Sequence, residues 1–304
     1  MKRLILFNAA AIAITSAYLY DTSSAFADQT CSIPSYASHE GSVSSWCKST
    51  WIAYFWDKYS FDKGNWDDGF GYWDVCNSRK PLARTFNAID VVNYADGNGS
   101  GRSINDFSGN ILNWGGNYTM REIDELDAHC ADPEGGNFSA MTYYGLGADE
   151  RTELYLGFFY DRTDVERAAV LVHEARHADH CGHNGNDGSN KCVSRSRDCE
   201  ETFYDGCADQ PWIVDETGRG ATAWEVLWLW YFVLDADPFY GTTTRRALAR
   251  DKANAKLDTK FDVHPCINIS SWGNTVWTCS CTLAAQEFPT TRNGAVPCRR
   301  TPVY

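Results

Sequence analysis

The chain has 304 residues, of which 40 are acidic and 27 are Lys or Arg, giving a formal charge of −13. With no basic cluster to offset it, such a surface argues against nucleic acid and anionic membranes as partners. The length suffices for a substantial buried core, so one large domain is expected, with disulfides reinforcing it rather than replacing it.

The first 27 residues read as a secretory signal. Lys2 and Arg3 open it, the stretch from Leu4 to Ala17 is broken only by Asn8, Thr15 and Ser16, and Ala25-Phe26-Ala27 offers a small-x-small cleavage site before Asp28. The apolar stretch falls short of the roughly 20 residues that a membrane span needs. The later apolar run Val226 to Leu234 is bounded by Glu225 and Asp235. The expectation is an exported protein, secreted or periplasmic, with no membrane anchor once the signal is removed. Loss of Lys2, Arg3 and Asp21 with the signal takes the charge to −14. All 12 cysteines follow the cleavage site, so up to six disulfides are expected in an oxidising compartment.

Three regions follow. Residues 28–130 are rich in aromatics, including Trp46, Trp51, Trp56, Trp66 and Trp73, with a helix expected over Ser44 to Tyr59 and a loop over Asp62 to Asp74. Residues 131–237 hold the chemistry. Ser139 to Tyr144 and Thr152 to Tyr160 read as neighbouring strands joined by a turn at Gly145 to Asp149. Thr163-Asp164-Val165-Glu166 is a capping box opening a helix that runs through Val172 to His173. Residues 238–304 begin with a polar helix from Thr244 to Leu257 and end in a tail holding Cys266, Cys279, Cys281 and Cys298.

His173-Glu174-Ala175-Arg176-His177 is an H-E-x-x-H motif. Residues four apart share one helix face, about 6 Å apart along the axis, so two imidazoles can converge on one zinc ion. Glu174, roughly a quarter turn away, can take a proton from a zinc-activated water without binding the metal. The setting, a capped apolar helix after a strand in an exported chain, resembles the zincin metallopeptidases between about Ser139 and His183. The variant His-Glu-Ala-Arg-His is also similar to exported bacterial proteins of zincin type. That resemblance implies an α+β zincin-like fold with a small mixed sheet, one catalytic Zn2+, a peptide or protein substrate, and Thr152 to Tyr160 as the strand aligning it. Zincin helices usually carry uncharged residues between the Glu and the second His, and an apolar residue two places after it. Here those positions hold Arg176 and Asp179.

A catalytic zinc takes three protein ligands and one open position. His183 has the metzincin spacing, but His180 stands where that group has its helix-ending Gly, and the chain's last Met, Met141, precedes the motif. His180 itself lies about 10 Å along a continuous helix from His173, too far to share the ion. Glu201-Thr202-Phe203-Tyr204-Asp205 matches the gluzincin pattern E-x-x-x-D, which makes Glu201 the first choice of third ligand and Asp205 a partner of a motif histidine. His183 and Glu225 are the alternatives. Glu225 sits in the apolar stretch Ala221 to Leu234, where a metal or a buried hydrogen bond must offset its burial.

Three other readings compete. A structural zinc site in the Cys/His cluster from His177 to Cys207 runs against oxidation of its thiols. Asp96 to Gly101 resembles half a calcium loop, with Phe107 where the acidic ligand belongs. A non-catalytic binding protein stacking its tryptophans on glycans is the non-enzymatic alternative.

Overall fold

The computed structural model describes residues 31–35, 46–97, 111–131, 138–143, 151–179, 221–222 and 224–256, and the backbone of 212–213, 223, 257–260, 266–269 and 275–278. Among these, α1 (Ser49–Lys58), α2 (Pro81–Tyr94) and α3 (Ile111–Glu122) precede strand β1 (Glu125–His129). Strands β2 (Ala140–Tyr143) and β3 (Arg151–Tyr155) follow, then α4 (Leu156–Tyr160), α5 (Asp164–Ala178), β4 (Trp212–Ile213), α6 (Ala221–Asp235), α7 (Thr243–Lys260), β5 (Cys266–Ile269) and β6 (Thr275–Thr278). The class is α+β. The first sheet is mixed, in the order β1-β3-β2, with β1 parallel and β2 antiparallel to β3. The second is an antiparallel β4-β6-β5 arrangement.

Local chemistry accounts for the elements that carry the site. The capping box at the start of α5 forms in full: Thr163 Oγ1 accepts from the Glu166 N–H, and Glu166 Oε2 accepts from the Thr163 N–H. Pro81 opens α2 at a first-turn position where its missing N–H is harmless. Of the 14 residues of α2, 13 are buried, so no amphipathic stripe marks it as a helix. Its buried polar groups are tied down: Arg84 Nη1 donates to the Phe159 carbonyl at 2.8 Å, and Tyr240 donates to Asp90 at 3.1 Å. Gly116 of α3 meets α2 so closely that a Cβ there would lie 2.8 Å from Asn93 Cα. Only glycine allows that approach, although it costs about 1 kcal/mol of helix propensity.

One hydrophobic core runs from Cys31 to Ala253 and joins α2, α3, α5 and α6 to the aromatic N-terminal part. Trp46, Trp66, Trp114, Trp224, Trp228 and Trp230 are almost wholly buried. Most described aromatics are therefore core; Tyr54, Phe138 and Phe239 are exposed, and Trp73 most of all, 76% exposed and stacked on Trp56. α6 is apolar on all sides and central, as such helices must be. No described helix is long and apolar enough to cross a membrane.

Two disulfides join described residues, Cys31–Cys130 and Cys47–Cys76. The signal segment, the expected turn at Gly145 to Asp149, and the remaining cysteine side chains lie outside the described residues. So does most of the calcium-loop candidate; its Gly97 adopts φ +80 in a turn packed on Asp237.

Two expectations are corrected. The helix expected over Ser44 to Tyr59 begins only at Ser49, after an extended Lys48. The strand expected over Thr152 to Tyr160 ends at Tyr155, because Phe158 and Phe159 are drawn into the core by the short helix α4. β3 is moreover the central strand, bonded on both sides, so it has no free edge on which to align another chain. Among the described strands, β1 and β2 are the edges, and β2 is the one on the cleft side. The first sheet turns Thr142 and Thr152 towards α5. Its other face carries Asp127 and Glu153, where burial and the neighbouring carboxylates of Glu125 and Glu153 push Asp127 up to about 8.

Candidate functional site

The site is built on the last two turns of α5. His173 and His177 lie part-exposed on one face, while Glu174, Ala175 and Arg176 are buried. The two imidazoles converge: Nε2 to Nε2 is 3.1 Å, with the rings inclined at 81°. Donor atoms sharing a tetrahedral zinc at bond lengths of 2.0–2.1 Å stand about 3.3 Å apart, so this pair has the spacing to hold one such ion. Its remaining partners must come from elsewhere. Neither Glu174 nor Glu225 brings an oxygen into a three-donor group within 4.8 Å of both imidazoles. Glu201, Asp205, His180 and His183 lie outside the described residues.

Glu225, on α6, takes a different place from the ligand role considered for it. It is 1% exposed, and its Oε2 stands 3.0 Å from His173 Nδ1, the ring nitrogen that faces away from His177. Lys256, on α7, approaches the same oxygen at 2.5 Å. Burial pushes the Glu225 carboxyl up, but Lys256 and the His173 ring outweigh it and hold the group well below the usual carboxylate range. The carboxylate therefore stays ionised beside Nδ1. It favours the tautomer with the proton on Nδ1 and the lone pair of Nε2 turned to the neighbouring ring. The cost of burying Glu225 is thus offset by the charge of Lys256 and the close approach of the His173 ring.

Glu174 is 4% exposed and held from the sheet. Thr142 Oγ1 lies 2.8 Å from Glu174 Oε2 and 2.9 Å from Thr152 Oγ1. A hydroxyl has one proton, so Thr142 donates to the carboxylate and accepts from Thr152. An edge strand and a central strand thereby fix the carboxylate beside the imidazoles.

The departures from the usual zincin pattern form one structural unit. Arg176 is 1% exposed, stacks 4.3 Å over Trp224, and donates to Asp179 Oδ2 at 2.6 Å. Tyr118 donates to the same oxygen at 2.9 Å. The charge of Arg176 faces α3 and α6, away from the imidazoles.

These groups border a cleft of about 470 Å3. Ser139, Met141 and Thr142 form one wall, and Thr222 and Lys256 stand on the other side of the motif. Phe138 is an exposed aromatic among the lining residues. Sequence reasoning missed Thr142 and Lys256. The spacing of Arg245, Lys252 and Lys256 on one face of α7 was a usable signal, but nothing local names their partners. No protein-family model matches the chain, and no curated protein or solved structure matches it either.

Proposed function

We propose that the protein is an exported zinc-dependent peptidase with a zincin-like catalytic region. The observation carrying this reading is the 3.1 Å convergence of His173 and His177 Nε2 beside the buried, hydrogen-bonded Glu174, in one cleft. His173 and His177 would hold the metal, with Glu201 the first choice of third ligand and His183 the alternative. Bound zinc supplies Lewis acidity, which polarises a peptide carbonyl and makes a water nucleophilic near neutral pH.

The chain's own residues supply the rest. Glu174 accepts the proton released as water attacks, and the Thr152–Thr142 hydroxyl pair holds its carboxylate in place for that transfer. Glu225, kept ionised by Lys256, orients His173. The edge strand β2, which lines the cleft, offers backbone groups to an extended peptide. The two disulfides accord with an oxidising compartment.

The test is zinc content of the mature chain, Asp28 to Tyr304, against the His173→Ala, His177→Ala double variant. The wild type should hold one zinc more than the variant. Glu174→Gln should keep that zinc and lose about 10²–10⁴-fold in peptide hydrolysis. Equal zinc in wild type and double variant would overturn the reading. It would favour the glycan-binding alternative, for which the exposed Trp73 stacked on Trp56 is the best platform.

A further inference from the structure

The far face of the first sheet holds a second set of donor groups that the proposed peptidase does not use. Strand alternation puts Glu125, Asp127 and His129 of β1 on one side, and the parallel register sets Arg151, Glu153 and Tyr155 beside them. Asp127, His129 and Glu153 each offer a donor atom, and the three lie within 4.8 Å of one another. Asp127 and Glu153 are 3% and 2% exposed.

The two carboxylates differ in how they are satisfied. Arg151 Nε donates to Glu153 Oε1 at 3.0 Å, and the Tyr155 hydroxyl donates to Oε2 at 2.6 Å. Asp127 is less well satisfied: Asn65 and the charge of Arg151 favour its ionised form, but burial and the neighbouring carboxylates outweigh them. Arg151 Nε is 3.7 Å from its Oδ2, beyond hydrogen-bond reach, and its buried Oδ1 has no hydrogen-bond partner. A buried carboxylate oxygen left in this state is costly, and native proteins rarely leave one. Arg151 is the one cation facing Glu125, Asp127 and Glu153 in this register, and it is a third exposed. Beside the cluster, Asp67 Oδ1 stands 3.5 Å from His129 Nδ1, while its Oδ2 accepts from the Cys130 N–H at 2.8 Å. Asp67 thus lies on the side of the imidazole from which a carboxylate supports a metal-binding histidine, close enough for electrostatic attraction but short of a hydrogen bond.

We propose that Asp127, His129 and Glu153 bind a structural divalent cation of the first transition row, which pins β1 to β3. Two carboxylates and an imidazole suit zinc or manganese better than calcium or magnesium, which take oxygen donors. The ion would satisfy the orphaned Asp127 oxygen and brace the strand that carries Thr152 on its opposite face.

The experiment uses the mature His173→Ala, His177→Ala chain, so that success or failure of the peptidase reading does not enter. Dialysed against zinc and then freed of excess, it should retain about one zinc per chain, and added zinc should raise its melting temperature. Adding Asp127→Asn, or separately His129→Ala, should lower zinc affinity at least tenfold and remove the melting shift. A folded double variant that retains no zinc overturns the proposal. So does retained zinc whose affinity neither added substitution changes, since that ion would sit elsewhere. If Asp127→Asn does not fold, His129→Ala, at a part-exposed position, decides by the same two measurements.

Discussion

Arg176 lies between the motif glutamate and its second histidine, yet its guanidinium touches neither. Its stacking on Trp224 and its bond to Asp179 put the charge in the helix interface, where losing Asp179 would remove the carboxylate that pairs with it. Glu225 repeats this logic on the other side of α5. Its ionised state depends on Lys256, and its use depends on His173. On the proposed function, Glu225→Gln should weaken zinc binding at the motif by about 10- to 100-fold, measured by competition with a chelator. Lys256→Met should act in the same direction through the carboxylate. Unchanged affinity in both would show that the Glu225–His173 contact does not orient the imidazole.

At the scale of elements, α7 holds the motif helix in place. Arg245 pairs with Asp164 and Lys252 with Glu166 at 3.0 Å, both in the first turn of α5, while Lys256 reaches α6. The same Glu166 closes the capping box, so the start of α5 depends on one carboxylate. Thr163→Ala should cost about 1 kcal/mol of unfolding free energy in urea. Burial raises the Glu166 carboxyl, but the Thr163 N–H and Lys252 outweigh that and lower it from 4.5. A lowered folded-state value means the stabilisation is present above the unfolded value and lost as pH falls through the folded one. The urea midpoint should therefore fall as pH drops below the ordinary value of 4.5, and Glu166→Gln should fall less over the same range. An equal fall in both would remove Glu166 from the account.

At the scale of the molecule, one continuous core and the two disulfides among the described residues join distant parts of the chain. Cys31–Cys130 closes 99 residues and ties the N-terminal segment to the end of β1. Cys47–Cys76 closes 29 residues within the aromatic region. Loop-closure entropy assigns them about 4.7 and about 3.6 kcal/mol. Replacing both cysteines of the longer bridge with Ala should lower stability by about 1 kcal/mol more than replacing those of the shorter one, by urea unfolding at fixed pH. A larger loss for Cys47 and Cys76 would mean that native packing, and not chain entropy, sets their contributions.

What could be read from the sequence was local. The capping box at Thr163, the helix through His173, and the approach of two imidazoles four residues apart depend on groups within one or two turns of each other. The helix α7 was legible for the same reason, as was the need of Glu225 for a partner, since an apolar stretch states the cost of a charge within it. Tertiary structure decided the rest. α2 is buried on all sides and carries no periodicity, and Gly116 speaks against helix until Asn93 is seen against it. Whether β3 or β2 faces the cleft depended on which strand paired on both edges. The carboxylate beside His173, the lysine beside that carboxylate, and the threonine holding Glu174 come from three elements separated along the chain. Spacing within one element cannot encode such meetings, because they exist only where packing brings the elements together.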